Sequence, residues 1–512
     1  MALNDVVFVK GQGGLGRPLA GEDHYSALLF YSGTLPSGFG SSDRIKQVFS
    51  VQDAEVFGIV NTYSDETKAV AKVAIAGTPA IGDTLKVTYT DVSGTVVNVL
   101  PTYALVSGEE TTTTTAAAAY AAQINANTFI HGFSATSSSA NLLITTKAGE
   151  GVYPNSGTPY VATATGGNTG TVTQPTGSSS TVLGVASQLA LMHYHISEFF
   201  RVQPKGVLWI GVYAVPSTYT FSEITTMQNF TLGKIRQMAI YSQASYGSSR
   251  LTTIQTVLEA LDTAHKPISS VLFAGDISAT SNLSTLANLA TLTAYKTSVV
   301  IGQDGGGLGL KLYNTTKKSI TCIGATLGAV ALATVSQDIA WKGKFNLSNG
   351  LELDTLAFGN GQLFTDLSDG TISYLNDLRY VFLLKNVGSD GSYFNDSHTA
   401  IAVTSDYAYI ENNRTIDKAI RGAYASLLPE VAAPIQLNAN GTISDVTIAH
   451  LISVTSPNLE QMVRDGDLSA FEVTINPAQD VLSTSKIIIA IGLLPKGVSR
   501  MIQVNIGFVT SI

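Results

Sequence analysis

Charge is scarce in this sequence: 13% of its residues are Asp, Glu, Lys or Arg, where soluble domains carry about 25%. A surface so poor in charge suits a protein whose faces are largely covered by neighbours. The net charge of −8 supplies no basic field to neutralise phosphates, so a general nucleic-acid binder is excluded. Cysteine is nearly absent. A single residue, Cys322, cannot build an intramolecular disulfide framework, which is compatible with assembly in a reducing cytoplasm.

Long apolar runs are also lacking. The longest candidate, Ile320–Val335, has 16 residues, short of the roughly 20 needed to span a bilayer. It carries Gly324 and Gly328 in a spacing that lets helices approach closely, and it reads as a buried core helix. The opening, Met1-Ala2-Leu3-Asn4-Asp5, has no basic stretch followed by an apolar run, so no signal peptide is expected.

What is present divides by composition. With 512 residues the chain exceeds one ordinary core and predicts about two to four domains. Residues 68–182 are rich in Thr, Ser, Ala and Gly, with strand-like runs at Val73–Ala76, Leu85–Thr90 and Leu142–Thr146 and one alanine-rich helix, Thr115–Ala126. Ser134–Ser139 and Gly166–Ser180 read as loops. The segment reads as a small β-rich domain inserted in a larger one. Residues 183–345 alternate strand and helix: Gly206–Tyr213 is a continuous apolar run, as in a strand covered on both faces. A helical stripe at Ile254, Val257, Leu258 and Leu261 has Thr252 or Thr253 as cap and Pro267 beyond its end. Strand-like Ser270–Ala274 and Thr297–Ile301 flank a helix-like stretch, Asn282–Ala294. The alternation predicts an α/β unit with a partly parallel sheet.

Residues 378–512 carry strand runs at Arg379–Lys385 and Thr399–Val403, then a helical stripe of Ile416, Ala419, Ile420, Ala423 and Leu427 that stops at Pro429. Ser456, Pro457 and Gly466 fit the cap, first turn and end of a short helix. Three strand runs close the sequence: Phe471–Ile475, Lys486–Leu494 and Met501–Val509. In the last, Ile502, Val504, Ile506 and Phe508 alternate with Gln503, Asn505 and Gly507.

Candidate chemistry is thin. Gly11-x-Gly13-x-x-Gly16 follows a strand-like run, Val7-Phe8-Val9, as a dinucleotide fingerprint does. No helical stripe opens on it, and no acidic partner ends a second strand about 20 residues on. It reads as a flexible arm or turn. His193, His195 and Glu198 resemble a metal cluster. A strand would bring both imidazoles to one face, but no further ligand has suitable spacing. Asp304–Gly309 lacks the Gly-Lys-Ser/Thr ending of a phosphate loop and reads as a surface turn. Asp23-His24 has no nucleophile elbow to serve. Cys322 reads as an inert buried thiol. No catalytic, cofactor-binding or metal-binding residue is assigned, no cofactor is expected, and the expectation is that the chain is not an enzyme.

The C-terminal third resembles contractile tail sheath proteins of bacteriophages and phage-like contractile injection systems. The resemblance lies in an order of motifs: Asp406–Ile420 with its Arg414-Thr415-Ile416-Asp417 turn, Gly441-Thr442-Ile443-Ser444 ahead of a helical region, Gly466-Asp467-Leu468-Ser469 leading into a strand, and Leu493–Arg500 leading into the last strand. Gly14–Pro18 and Gly21–His24 are similar to the opening of one sheath branch. Ala116–Asn127, Lys147–Gly151 and Asn155 resemble a surface domain of Mu-like sheaths.

The fold class expected is a multidomain α+β and α/β chain: an N-terminal arm, 1–21; a discontinuous α/β sheath domain, 22–67 and 183–377; the β-rich surface insertion, 68–182; a sheath-type C-terminal core, 378–499; and a C-terminal arm strand, 500–512. The resemblance implies that both arms are exchanged with neighbouring subunits as added β-strands. Val6, Val7, Phe8 and Val9 form one such strand and Ile502, Val504, Ile506 and Phe508 the other, with Gly11, Gly13, Gly14 and Gly16 as the hinge of the first. Uncovered apolar edge strands invite pairing, which favours a partner over a monomer with two bare edges.

The partners implied are further copies of the chain in a helical homo-oligomer of stacked rings, an inner tail tube protein, and baseplate and tail terminator proteins. Neither nucleic acid nor direct stable membrane insertion is expected. The implied place is a virion tail or phage-like particle assembled in the bacterial host cytoplasm. Contraction would release energy stored at assembly. The region Ser444–Arg464 is a candidate tube-facing surface, with Arg464 as one contact. The alternatives are a non-contractile structural phage protein of tail-tube, capsid or surface-layer type, and an α/β enzyme with a β insertion.

Overall fold

The apolar run at Gly206–Tyr213 forms the strand Leu208–Tyr213, buried except for half-buried Tyr213. In the computed structural model, which describes all residues except 1–21, 62–67, 92–93, 148–149, 151–152, 156, 176–184, 317, 505, 507 and 509–512, this strand lies in a six-stranded sheet. The order is Thr297–Val299, Ser270–Asp276, Gln237–Ser245, Ser26–Tyr31, Leu208–Tyr213, Ile45–Val48. All neighbours are parallel except the last pair. Because side chains alternate along a strand, Leu28, Phe30, Leu208 and Ile210 enter one core while Ala27, Leu29 and Trp209 enter the other. Helices cover both faces, which explains why these strands read as unbroken apolar runs.

On one face the helices Val185–Val202 and Ile323–Leu332 pack together. The second lies inside Ile320–Val335 and is buried, as expected. Its glycines are the reason for the close approach: a Cβ on Gly324 would stand 2.2 Å from the His195 carbonyl oxygen, and one on Gly328 2.8 Å from that of Phe199. On the other face lies the helix Ser249–Thr263. It starts ahead of both threonines expected to cap it, with Ser248 at the cap position. Asn282–Ala294 is not a helix. It folds as two 3-10 turns, Leu283–Thr285 and Leu289–Thr291, each capped by an asparagine side chain, Asn282 and Asn288, that accepts from the amide two residues on.

The expected insertion has its own core, built on Val73, Leu85, Val87, Tyr89, Tyr120 and Tyr160. It comprises an antiparallel sheet ordered Ser134–Ser138, Asn141–Thr145, Val70–Gly77, Asn168–Thr173 and a second one ordered Val96–Ala104, Thr84–Thr90, Tyr160–Thr165. Two tracts read as loops thus contain strands. Their inward positions are Ala135 in the first and Asn168, Gly170 and Val172 in the second, so the apolar half of the alternation is nearly invisible in sequence. The helix Thr113–Ala126 matches expectation and opens with a reciprocal cap between Thr112 and Thr115.

The remaining C-terminal residues form the helix Ile410–Leu427, the long helix Asp445–Asp465 packed against it, and a hairpin of Leu468–Ile475 with Ile489–Pro495. Ser456 and Pro457 do not begin a helix; both lie inside Asp445–Asp465. Its start is Ser444, whose hydroxyl accepts from the Thr447 amide at 3.2 Å, and its end is Gly466 at φ 80°.

Candidate interaction site at the C-terminal arm

The hairpin is the starting point. Phe471, Val473, Ile491 and Leu493 point to one side and pack on Leu459, Met462 and Leu468. Ala470, Glu472, Thr474, Ala490, Gly492 and Leu494 are exposed. Among the described residues this sheet has two strands only, so each strand has one edge outside any ladder. Two-stranded sheets are marginal by themselves, and their open edges are templates for further strands.

After Pro495 the chain runs back to the body. Arg500 anchors it there. Its guanidinium pairs with Asp338 at 3.2 Å, Asp396 at 3.0 Å and Glu411 at 2.5 Å, and lies 3.4 Å from the centre of the Tyr409 ring. Glu411 also accepts from the Ser397 hydroxyl at 2.6 Å. Three carboxylates around one arginine leave an excess of negative charge. Burial, then Glu411 and Asp396, push the Asp338 carboxyl up to about 7. Burial raises Glu411 as well, against the pull of Arg500. Burial acts to lower Arg500, but Asp396, Glu411 and Asp338 outweigh it and hold the guanidinium charged.

Beyond Arg500 the structure changes character. Residues 501–504, 506 and 508 lie in no helix or strand, so the described residues of Met501–Val509 do not form the expected strand within this chain. Its apolar side chains face solvent: Ile502 is 80% exposed, Val504 69%, Ile506 91% and Phe508 110%. The alternation is a strand's, yet no described strand of the same chain takes it up, although the hairpin has open edges.

The other sequence-derived candidates are placed as follows. Val6, Val7, Phe8, Val9 and the glycines Gly11, Gly13, Gly14 and Gly16 lie outside the described residues. Arg464 is exposed in the last turn of its helix, 4.0 Å from Glu460. His193, His195 and Glu198 lie on a helix, not a strand, and have separate partners. His193 meets Glu55 at 2.9 Å, and Glu198 pairs with Arg201. His195 is buried against Phe30 and Tyr241, where burial pushes its imidazole down to about 3 and keeps it neutral. Among the described residues no group of three or more His, Cys, Asp or Glu is arranged to hold a metal ion.

The glycine loop Asp304–Gly309 does open a helix, Leu308–Thr316, but its amides are taken. The Asp304 carboxylate accepts from the amides of Gly306, Gly307 and Gly309 at 3.1, 2.8 and 3.0 Å, and Glu352 accepts from Leu308 at 3.1 Å. An anion would have to displace two carboxylates. Cys322 is buried, and burial pushes its thiol up to about 12. No helix of the described residues is long and apolar enough to cross a membrane.

Sequence reasoning missed the Arg500 cluster. Its carboxylates come from three distant stretches, and nothing in the local pattern joins them.

Residues 406–512 match the family described as DUF2586, C-terminal domain. No curated protein matches the chain in sequence. Among solved structures the chain is similar to the helical sheath of the anti-feeding prophage in its contracted state, at 16% identity over 61% of this chain and 81% of that one, with a TM-score of 0.44. It is similar to the contracted PVC sheath complex of an extracellular contractile injection system, at 14% identity over 62% and 80%, TM-score 0.41. The sheath tail protein of Listeria innocua is also similar, at 11% identity over 94% and 97%, TM-score 0.38. These neighbours are sheath proteins of phage tails and phage-like injection systems, not enzymes.

Proposed function

We propose that this chain is the subunit of a contractile tail sheath, of the Mu-like branch, which polymerises as stacked rings around an inner tube and contracts to drive that tube through a target cell envelope. The observation that carries this reading is the C-terminal arm. Four large apolar side chains at alternating positions, Ile502, Val504, Ile506 and Phe508, stand in solvent beside a two-stranded hairpin with open edges. A second copy completes both: its hairpin takes the arm as a third strand, the main chains pair, and the alternating side chains fix register. Covering each such side chain stabilises the assembly by roughly 1.5–3 kcal/mol.

The N-terminal strand Val6–Val9, hinged at Gly11–Gly16, makes the second exchange. The motif order of the C-terminal third supports the same reading. Baseplate and terminator proteins close the two ends, and assembly takes place in the host cytoplasm. The β-rich segment 68–182 lies on the outside. The helix Asp445–Asp465 faces the tube, with Arg464 exposed for contact.

Electron microscopy of the purified full chain tests this reading. It predicts hollow, helically ridged tubes at high protein concentration, and a preparation that stays monomeric under all assembly conditions contradicts it.

A further inference from the structure

The helix Ile410–Leu427 carries Glu411, Arg414, Lys418 and Arg421. Offsets of three, seven and ten residues place these on one stripe of the helix. The stripe meets the chain near both of its ends. At the C-terminal side, Glu411 pairs with Arg500 at 2.5 Å. At the N-terminal side it meets Asp23, next to the first described residue. The Asp23 carboxylate pairs with Lys418 at 2.7 Å and with Arg421 at 2.9 Å, while Arg414 donates to the Asp23 carbonyl at 3.3 Å. Lys418 also reaches Asp467, at the start of the hairpin, at 2.7 Å. Glu22 pairs with Arg236. Burial acts to raise the Asp23 carboxyl, but the bond and charge of Lys418, then Arg421 and Arg414, outweigh it and hold it ionised.

We propose that this helix is the common mooring of both terminal arms: its ion pairs to Asp23 and Arg500 fix where the arms leave the body, and thereby the spacing of the two further copies of the chain that the arms reach. The inference rests on the strand-exchange reading and goes beyond it. Glu411 and Arg421 are ten residues apart, about 15 Å along the helix.

The two tethers differ in length. From Arg500 to Ile502 is two residues, about 7 Å at full extension, so the copy that receives this arm is in direct contact at the mooring. From Asp23 back to Val9 is fourteen residues, at most about 50 Å. A change in subunit spacing is therefore taken up by the N-terminal tether, while the C-terminal contact stays closed.

The test uses the full chain, two insertion variants that leave the folded body alone and one substitution that breaks the mooring itself. A four-residue Gly-Ser insertion between Arg500 and Met501 lengthens the short tether; the same insertion between Gly13 and Gly14 lengthens the long one. Tube yield by electron microscopy is expected to fall about tenfold or more for the first and to stay within about twofold for the second. Arg500→Gln in the unassembled chain is expected to speed amide exchange over residues 496–500 about tenfold and to change or abolish the helical rise of any tubes. Equal tolerance of both insertions overturns the mooring, as does Arg500→Gln building tubes of unchanged rise. If the unaltered chain builds no tubes, the assembly reading itself falls, whatever the variants do.

Discussion

The Arg500 guanidinium stacks 3.4 Å from the centre of the Tyr409 ring, and the same ring holds Arg379 at 5.3 Å. One aromatic ring therefore serves two cations where the arm meets the body. Tyr409→Leu keeps apolar bulk and removes both contacts, at an expected cost of about 1–2 kcal/mol. Arg500→Ala also strips the cation from Asp338, Asp396 and Glu411, and the expected cost is larger, about 3 kcal/mol. Urea unfolding of the unassembled chain checks the order; Tyr409→Leu costing more than Arg500→Ala contradicts it.

Asp338 gives a pH dependence of definite sign. Burial, with Glu411 and Asp396, raises its carboxyl from 3.8 to about 7. A carboxyl raised in this way contributes stability that is complete below its unfolded value and is lost as pH rises through its folded value. Asp338→Asn keeps a neutral side chain that can still accept from the Ala340 amide, as Asp338 does at 2.8 Å. Relative to the unaltered chain, the variant should gain stability steadily from pH 4 to pH 7 and level off above. Melting curves across that range decide the matter, and a pH-independent difference between the two proteins refutes the assignment.

Gly324 predicts a packing defect. Its missing Cβ is what admits the His195 carbonyl, 2.2 Å from where that atom would be. Gly324→Ala forces the two buried helices apart and should cost roughly 2–3 kcal/mol by denaturant unfolding, even though alanine is the better helix former. A neutral or stabilising result places the helices farther apart than described.

Asp304 predicts what the glycine loop does not do. Its carboxylate serves the amides of Gly306, Gly307, Gly309 and Leu353. Asp304→Ala leaves them without a partner and should cost about 3 kcal/mol or more. Magnesium–ATP should leave the melting temperature of the unaltered chain where it is, because the loop amides are already occupied. A nucleotide-dependent rise reopens the phosphate-loop reading.

Sequence and structure agree where one pattern dominates. The unbroken run at Leu208–Tyr213 was legible because burial on two faces leaves no polar alternation. The helical period of Ile416, Ala419, Ile420, Ala423 and Leu427 located the helix Ile410–Leu427, although only Ala419 and Ala423 of that stripe are buried. Asn282–Ala294 misled because Leu283, Leu286 and Leu289 repeat every three residues, which suits 3-10 turns as well as a helix; asparagine caps decided between them. Pro457 misled because a first-turn proline and an interior one look alike in sequence. The Arg500 cluster was illegible since Asp338, Asp396 and Glu411 meet only after folding. The last strand was legible as a pattern, and its described residues still form no strand here, because a period of two specifies a face to be covered and not the chain that covers it.

Removal of the arm beginning at Met501 separates assembly from folding. A chain ending at Arg500 retains the ion pairs to Asp338, Asp396 and Glu411. It loses exposed side chains, among them Met501, Ile502, Val504, Ile506 and Phe508, with the hydrogen bond from the Ser499 hydroxyl to the Met501 carbonyl at 3.4 Å. Its circular dichroism and unfolding midpoint should match those of the full chain under unassembled conditions. Under assembly conditions the full chain should form tubes, and the shortened chain should remain in small species by sedimentation and electron microscopy. Tubes of normal appearance from the shortened chain would rule out strand exchange through this arm.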